Sequence, residues 1–215
     1  FAFPTQAALY LPRHMPDPRD ARFVSDAVRE VLALIDITGG GAFVLCTSFR
    51  MMHALAQACR PELSQPVLVQ GERPKLMLLD RFREAGNAVL FATSSFWEGV
   101  DVPGDALRLV ILDKLPFDVP TDPLVAARCE RIREDGDAPF AKYLLPSAAI
   151  ALKQGFGRLV RTEADRGIVA ILDSRIVHKS YGKTLLASLP DASRCYSLEE
   201  VRAFYAFART TERSA

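Results

Sequence analysis

The chain predicts one α/β domain of the doubly wound type: a mainly parallel sheet with helices on both faces and a small helical insertion. Three observations carry this reading. Five short runs, Ala42–Thr47, Val67–Gln70, Ala88–Thr93, Leu107–Leu112 and Ile168–Leu172, are dominated by apolar residues, the mark of strands buried on both faces. Helical segments separate them, and strands alternating with helices build parallel sheets. The length of 215 residues, with 49% hydrophobic and 25% charged residues, suffices for a sizeable core in a soluble globular protein.

In chain order, residues 1–20 hold Pro4, Pro12, Pro16 and Pro18 and read as an extended connector, so that the domain proper fills residues 21–215. From Asp20 to Ile35 the apolar residues Phe23, Val24, Ala27, Val28, Val31, Leu32 and Ile35 recur at helical spacing. Gly39–Gly41 ends that helix and leads into the first strand. Ser48 then caps a helix reaching Cys59. Lys75–Ala85 reads as a helix stopped by Gly86. Residues 116–146 break the pattern with Pro120, Pro123 and Pro139 and the charged run from Cys129 to Asp135, and read as an insertion of one or two helices. Leu198–Arg209 closes the chain as an amphipathic helix with Val201, Phe204, Tyr205 and Ala208 inside.

Composition narrows the function classes. A formal net charge of +1 gives no global support for nucleic-acid binding, so any basic surface is local. Cys46, Cys59, Cys129 and Cys195 form no CxxC pair and read as buried thiols of a reducing compartment. A cytoplasmic location follows as an expectation. His14, His53 and His178 show no metal-ligand spacing and read as surface or packing residues. No run reaches the roughly 18 apolar residues of a membrane span. The opening FAFPTQAALYLP has neither a start methionine nor a signal-peptide pattern and is expected to continue a longer protein.

Ligands of open parallel sheets bind beyond the carboxyl ends of the strands. Ser48, Phe49 and Arg50 follow one strand, Thr93–Asp101 another, Lys114 and Asp118 a third, and Asp173 and Arg175 a fourth. The segment TSSFWEGVDVPG from Thr93 offers three hydroxyls, Thr93, Ser94 and Ser95, of the kind that meet nucleic-acid phosphates. Gly99 permits close approach, Asp101 can hold a ribose hydroxyl, and Glu98 can position a water or an arginine. The same stretch also reads as a capped turn with no ligand. Trp97 suits base stacking or core packing.

The most telling stretch is QGFGRLVR, from Gln154 to Arg161. On a helix, Gln154, Gly157, Arg158 and Arg161 fall at i, i+3, i+4 and i+7 on one polar stripe. Two guanidiniums one turn apart can each donate paired hydrogen bonds to phosphate oxygens, and Gly157 leaves the backbone open to approach. Gly182-Lys183-Thr184 imitates the end of a P-loop, but Val177 stands where its first glycine belongs. With no complete P-loop in the chain, no independent grip on ATP and magnesium is expected.

Together these motifs resemble the DinG/XPD-type superfamily 2 helicases. QGFGRLVRTEADRGIVAILDSR is similar to their motif VI, SSFWEGVDVPGD to motif V, VLCTSF to motif IV, and KLPFDVPTDP to the segment after motif V, in the family's order over nearly the whole chain. The bacterial DinG and YoaA branch is the most similar. The resemblance implies a second RecA-like motor domain, with ATP and Mg2+ held mainly by a first motor domain outside this chain, where any iron–sulfur cluster would also lie. It implies Arg158 and Arg161 as arginine fingers, with Gln154 positioning water or phosphate. Gly99, Asp101, Glu98 and Gly157 would meet the nucleotide, and Ser48, Phe49, Thr93, Ser94 and Ser95 would track single-stranded DNA. Asp165, Asp173 and Arg175 would support the motifs. A 5′→3′ polarity and a monomeric domain working with the first motor domain complete the expectation. The alternative is a domain that binds nucleic acid or a partner without catalysis.

Overall fold

The computed structural model describes residues 2–93, 96, 106–157, 159 and 165–212. Among the described residues seven strands form one sheet in the order β3-β4-β2-β5-β6-β1-β7: β1 (Ala7–Tyr10), β2 (Ala42–Cys46), β3 (Val67–Val69), β4 (Val89–Thr93), β5 (Leu109–Leu112), β6 (Gly167–Ile171) and β7 (Ser193–Cys195). Every neighbouring pair is parallel, so all strands end on one edge.

Alternation along the strands sends side chains to two cores. Leu9, Phe43, Leu45, Leu90, Leu112, Val169 and Ile171 face one core. There they meet α4 (Lys75–Ala85) through Leu78 and Phe82, and α6 (Leu145–Phe156) through Ala148, Leu152 and Phe156. Tyr10, Val44, Phe91, Ile111, Ala170 and Leu172 face the other. It is covered by α2 (Phe23–Thr38), α3 (Phe49–Cys59) and α9 (Leu198–Glu212). In α2 the buried stripe is Phe23, Ala27, Val31, Leu34 and Ile35, while Val24 turns outward. Gly39, with φ of 69°, closes α2 in the left-handed region that favours glycine.

Residues 1–20 correct the connector expectation. Pro4 and Pro12 flank β1 rather than interrupting it, and Ala7–Tyr10 is fully inside the sheet between β6 and β7. An apolar AALY stretch can serve the open edge of β6, whose backbone groups otherwise lack partners. The short α1 (Phe3–Gln6) precedes it. Strand β7 was likewise not read from sequence.

The insertion holds α5 (Pro123–Glu134), which starts with Pro123 under an Asp122 cap accepting from the amides of Leu124 and Val125. The second expected helix is not separate. A π-helical turn over Phe140–Leu144 passes unbroken into α6. Phe117, Phe140 and Tyr181 pack ring on ring at 5.2–5.7 Å, fixing the insertion against the chain between α7 (Arg175–His178) and α8 (Gly182–Ser188).

All four cysteines are free thiols and buried. Burial pushes the Cys59 thiol up to about 12 and that of Cys195 up to about 11, and raises Cys46 as well. Below pH ~9 both folded and unfolded chains keep these protons. Above it the unfolded chain ionises first, so stability is expected to fall from there up to the folded values. Urea midpoints across pH 8–11 will show this decline. At pH 8 a disulfide reagent should label the native thiols far more slowly than the unfolded ones.

Candidate nucleotide and nucleic-acid interface

The carboxyl edge of the sheet carries a row of polar side chains locked by buried carboxylates. The ends of β5 and β6 both run through the triplet Ile-Leu-Asp, which places Asp113 and Asp173 just beyond the strands, both 0% exposed. Because Leu112 pairs with Ile171, the two carboxylates sit one register step apart and face opposite sides of the sheet. Asp113 accepts from the Thr47 amide at 2.9 Å and from Lys114 Nζ at 2.7 Å, tying the end of β2 to β5. Burial raises its pKa, and the Lys114 charge opposes that shift. Asp173 accepts from the Leu115 amide at 2.9 Å and holds Arg175 by Nε at 2.9 Å and Nη2 at 2.6 Å. The carboxylate raises the Arg175 pKa, chiefly through these hydrogen bonds. Asp173 and Arg175 thus form an internal brace, in line with the supporting role expected of them. Asp113 escaped the sequence reading. The signal was present in the repeated Ile-Leu-Asp strand ending.

Along the same edge, Ser48 caps α3, its Oγ accepting from the Met51 amide at 3.2 Å. Because the cap uses only the oxygen as acceptor, the hydroxyl proton remains able to donate to a phosphate. Phe49 follows, 54% exposed. Thr93 behaves differently from the expectation of a free phosphate donor. It is 6% exposed, and its amide and hydroxyl both donate to Gln70 Oε1, at 2.7 and 3.0 Å. Its hydroxyl is committed to joining β3 to β4. Ser94, Ser95, Glu98, Gly99 and Asp101 lie outside the described residues, as does Trp97.

The motif around Gln154 lies at the opposite edge. Helix α6 ends at Phe156, whose ring packs on Phe3 at 5.9 Å just before β1 begins. Leu159 borders Gly167, the first residue of β6, which also borders the Arg108 carbonyl at the start of β5. Gln154 is therefore exposed near the amino-terminal edge. Of the stripe expected through Gln154, Gly157, Arg158 and Arg161, the structure describes the first two. The described helix stops before Gly157, a helical C-cap residue with φ −67°. Arg158 and Arg161 lie outside the described residues. Among the described residues, a methyl group at Gly157 would meet nothing closer than 3.5 Å.

The imitation P-loop has a packing explanation. Gly182 begins α8, and a Cβ there would stand 1.9 Å from the Ile176 carbonyl oxygen. Gly182→Ala is expected to destabilise the fold by about 1–3 kcal/mol through forced backbone movement, as measured by urea unfolding. Among the described residues no group of three or more His, Cys, Asp and Glu could hold a metal ion, and no helix is long and apolar enough to cross a membrane.

Residues 31–192 match the helicase C-terminal domain family. The chain is 47% identical over 204 residues to the "ATP-dependent DNA helicase YoaA" of Haemophilus influenzae, covering 95% of this chain and 32% of that protein. It is 41% identical over 196 residues to the "ATP-dependent helicase DinG" of Mycobacterium tuberculosis, covering 91% of this chain and 30% of that protein. It therefore spans about a third of the length of these relatives. Among solved structures, an XPD helicase superposes with a TM-score of 0.64 at 17% identity, over 89% of this chain and 35% of that one. The C-terminal domain of the DEAD-box protein Dbp5 superposes with 0.56 at 16% identity, over 95% and 97%. The parallel sheet is thus the RecA-like fold of these helicase domains, and the chain belongs to the helicase C-terminal domain family of the DinG/XPD-like superfamily 2 helicases.

Proposed function

We propose that this chain is the second motor domain of an ATP-dependent DNA helicase, donating Arg158 and Arg161 to ATP held with Mg2+ on a first RecA-like domain. The observation that carries the mechanical part is the placement of two polar sites on opposite edges of one sheet. Ser48 and Phe49 stand at the carboxyl edge, and Gln154 and Gly157 at the amino edge. Segment 94–105 joins Thr93 at the carboxyl edge to Ala106, beside Gly41 at the amino edge. Glu98, Gly99 and Asp101 belong to that segment, so one stretch of chain is in a position to relate nucleotide state to strand grip. Among the described residues nothing stands within 3.5 Å of where a side chain at Gly157 would begin, which leaves room there for a nucleotide or the facing motor domain.

In this reading the arginines gain phosphate contacts only in the closed arrangement of the two motor domains. Hydrolysis removes those contacts, and the cleft opens. Each cycle shifts one DNA grip relative to the other, with 5′→3′ travel as the proposed direction. Gln154 orients the attacking water or the γ-phosphate, Asp101 holds the ribose, and Ser48 with Ser94 and Ser95 follows the single-strand phosphates. The domain acts as a monomer in the cytoplasm.

The test is Arg161→Ala in the whole protein, assayed for DNA-stimulated ATP hydrolysis and for single-strand binding. Collapse of turnover with retained DNA binding supports the assignment. Turnover equal to that of the unaltered protein overturns it.

A further inference from the structure

A groove of about 750 Å³ opens between α3 and the turn after β3. Its volume lies within the range of small-ligand sites, and its chemistry is specific. Phe49 and His53, one helical turn apart on α3, present an aromatic and an imidazole ring to it, and both residues are exposed. Gln70 lines the facing wall. A peptide N–H can only donate, so the 2.7 Å bond from the Thr93 amide fixes Oε1 as the Gln70 atom turned toward Thr93. The Thr93 hydroxyl meets the same oxygen at 3.0 Å. The Gln70 NH2 is left on the other side, and neither of its hydrogens meets a protein acceptor among the described residues. At the far end Glu72 is neutralised by Arg60 at 2.6 Å, so no unpaired carboxylate faces the opening.

An exposed ring beside a pre-oriented amide donor is the chemistry that recognises a nucleobase, which stacks by its face and accepts hydrogen bonds at its edge. The groove adjoins Ser48 through Phe49 and Thr93 through Gln70. We propose that it receives an unpaired base of the bound strand, stacked on Phe49 and hydrogen-bonded by the Gln70 amide. This inference rests on the reading of the carboxyl edge as a single-strand track, and adds to it a contact that depends on the base rather than the phosphates.

The experiment uses the full-length protein and two labelled strands of equal length, one oligothymidylate and one with abasic sites throughout. The unaltered protein is expected to bind the thymidine strand roughly tenfold more tightly. Phe49→Ala should remove most of that preference. Gln70→Glu keeps an acceptor for both Thr93 bonds but loses the NH2 and adds a negative charge. It should melt like the unaltered protein and lose affinity for the thymidine strand more than for the abasic one. Equal binding of the two strands by the unaltered protein, or an unchanged preference in both variants, overturns the base site while leaving the phosphate track standing. An unchanged preference in the variants would also turn attention to a protein partner for the groove. Failure of the unaltered protein to bind either strand overturns the track and the base site together.

Discussion

Replacing Arg158 by alanine in the whole protein is expected to lower the DNA-stimulated rate of ATP hydrolysis by about 10³-fold or more, the scale on which a finger arginine acts in other NTPases. The physical reason is charge. Phosphoryl transfer spreads negative charge over the γ-phosphate oxygens, and a planar guanidinium answers it with paired hydrogen bonds in a water-poor cleft. Arg158→Lys should recover little, because an ammonium keeps the charge but not the fork. Since Arg158 and Arg161 would act on the same phosphate, the double alanine variant should fall well short of the product of the single losses. Single-strand affinity should stay within a few-fold, because Ser48 and Phe49 stand at the other edge of the sheet from Gln154. Steady-state turnover beside anisotropy measurements separates the outcomes. A turnover within tenfold of the unaltered protein would remove Arg158 from the chemistry.

Asp173→Ala carries the largest expected cost to stability, about 3–5 kcal/mol by analogy with other broken buried pairs. Three donors lose their acceptor together: the Leu115 amide, the Arg175 amide and the Arg175 guanidinium. The Leu115 amide is a buried contact, and an unmatched buried donor adds its own desolvation penalty. Removing Arg175 as well should cost less than the sum of the two single changes, since no charge is then left without its partner. Urea unfolding of the three variants measures the coupling. A loss below about 1 kcal/mol for Asp173→Ala would mean that the brace is not what joins β6 to the chain after β5. The brace sits on the same edge of the sheet as Ser48 and Phe49.

The five strands read from sequence are all present, and their success has a simple cause. A strand covered on both faces must be apolar at successive positions, so burial is written locally in Ala42–Cys46, Val89–Thr93 and Gly167–Ile171. Strands β1 and β7 were missed for the complementary reason. Ala7–Tyr10 lies among prolines, and Ser193–Cys195 is short, with Arg194 exposed. What makes β1 a strand is the open edge of β6, about 160 residues away along the chain and aligned Ala7 to Gly167, and β1 in turn offers the edge on which β7 forms. Family motifs were likewise legible as ordered residue types, while the end of α6 at Phe156 was not. Helical spacing predicts which side chains would share a face if the helix continued, but not where it ends.

The sequence by itself therefore determined the parallel α/β class, the two-sided burial of the central strands and the family. Each of these follows from local patterns of polarity and motif order. Only the tertiary structure decided that Thr93 is bound to Gln70, that Asp113 and Asp173 brace opposite faces of the sheet, and that Gln154 and Ser48 stand on opposite edges. Those outcomes depend on which buried donors and acceptors meet across the fold. A buried polar group takes its partner from whatever distant segment the packing brings beside it.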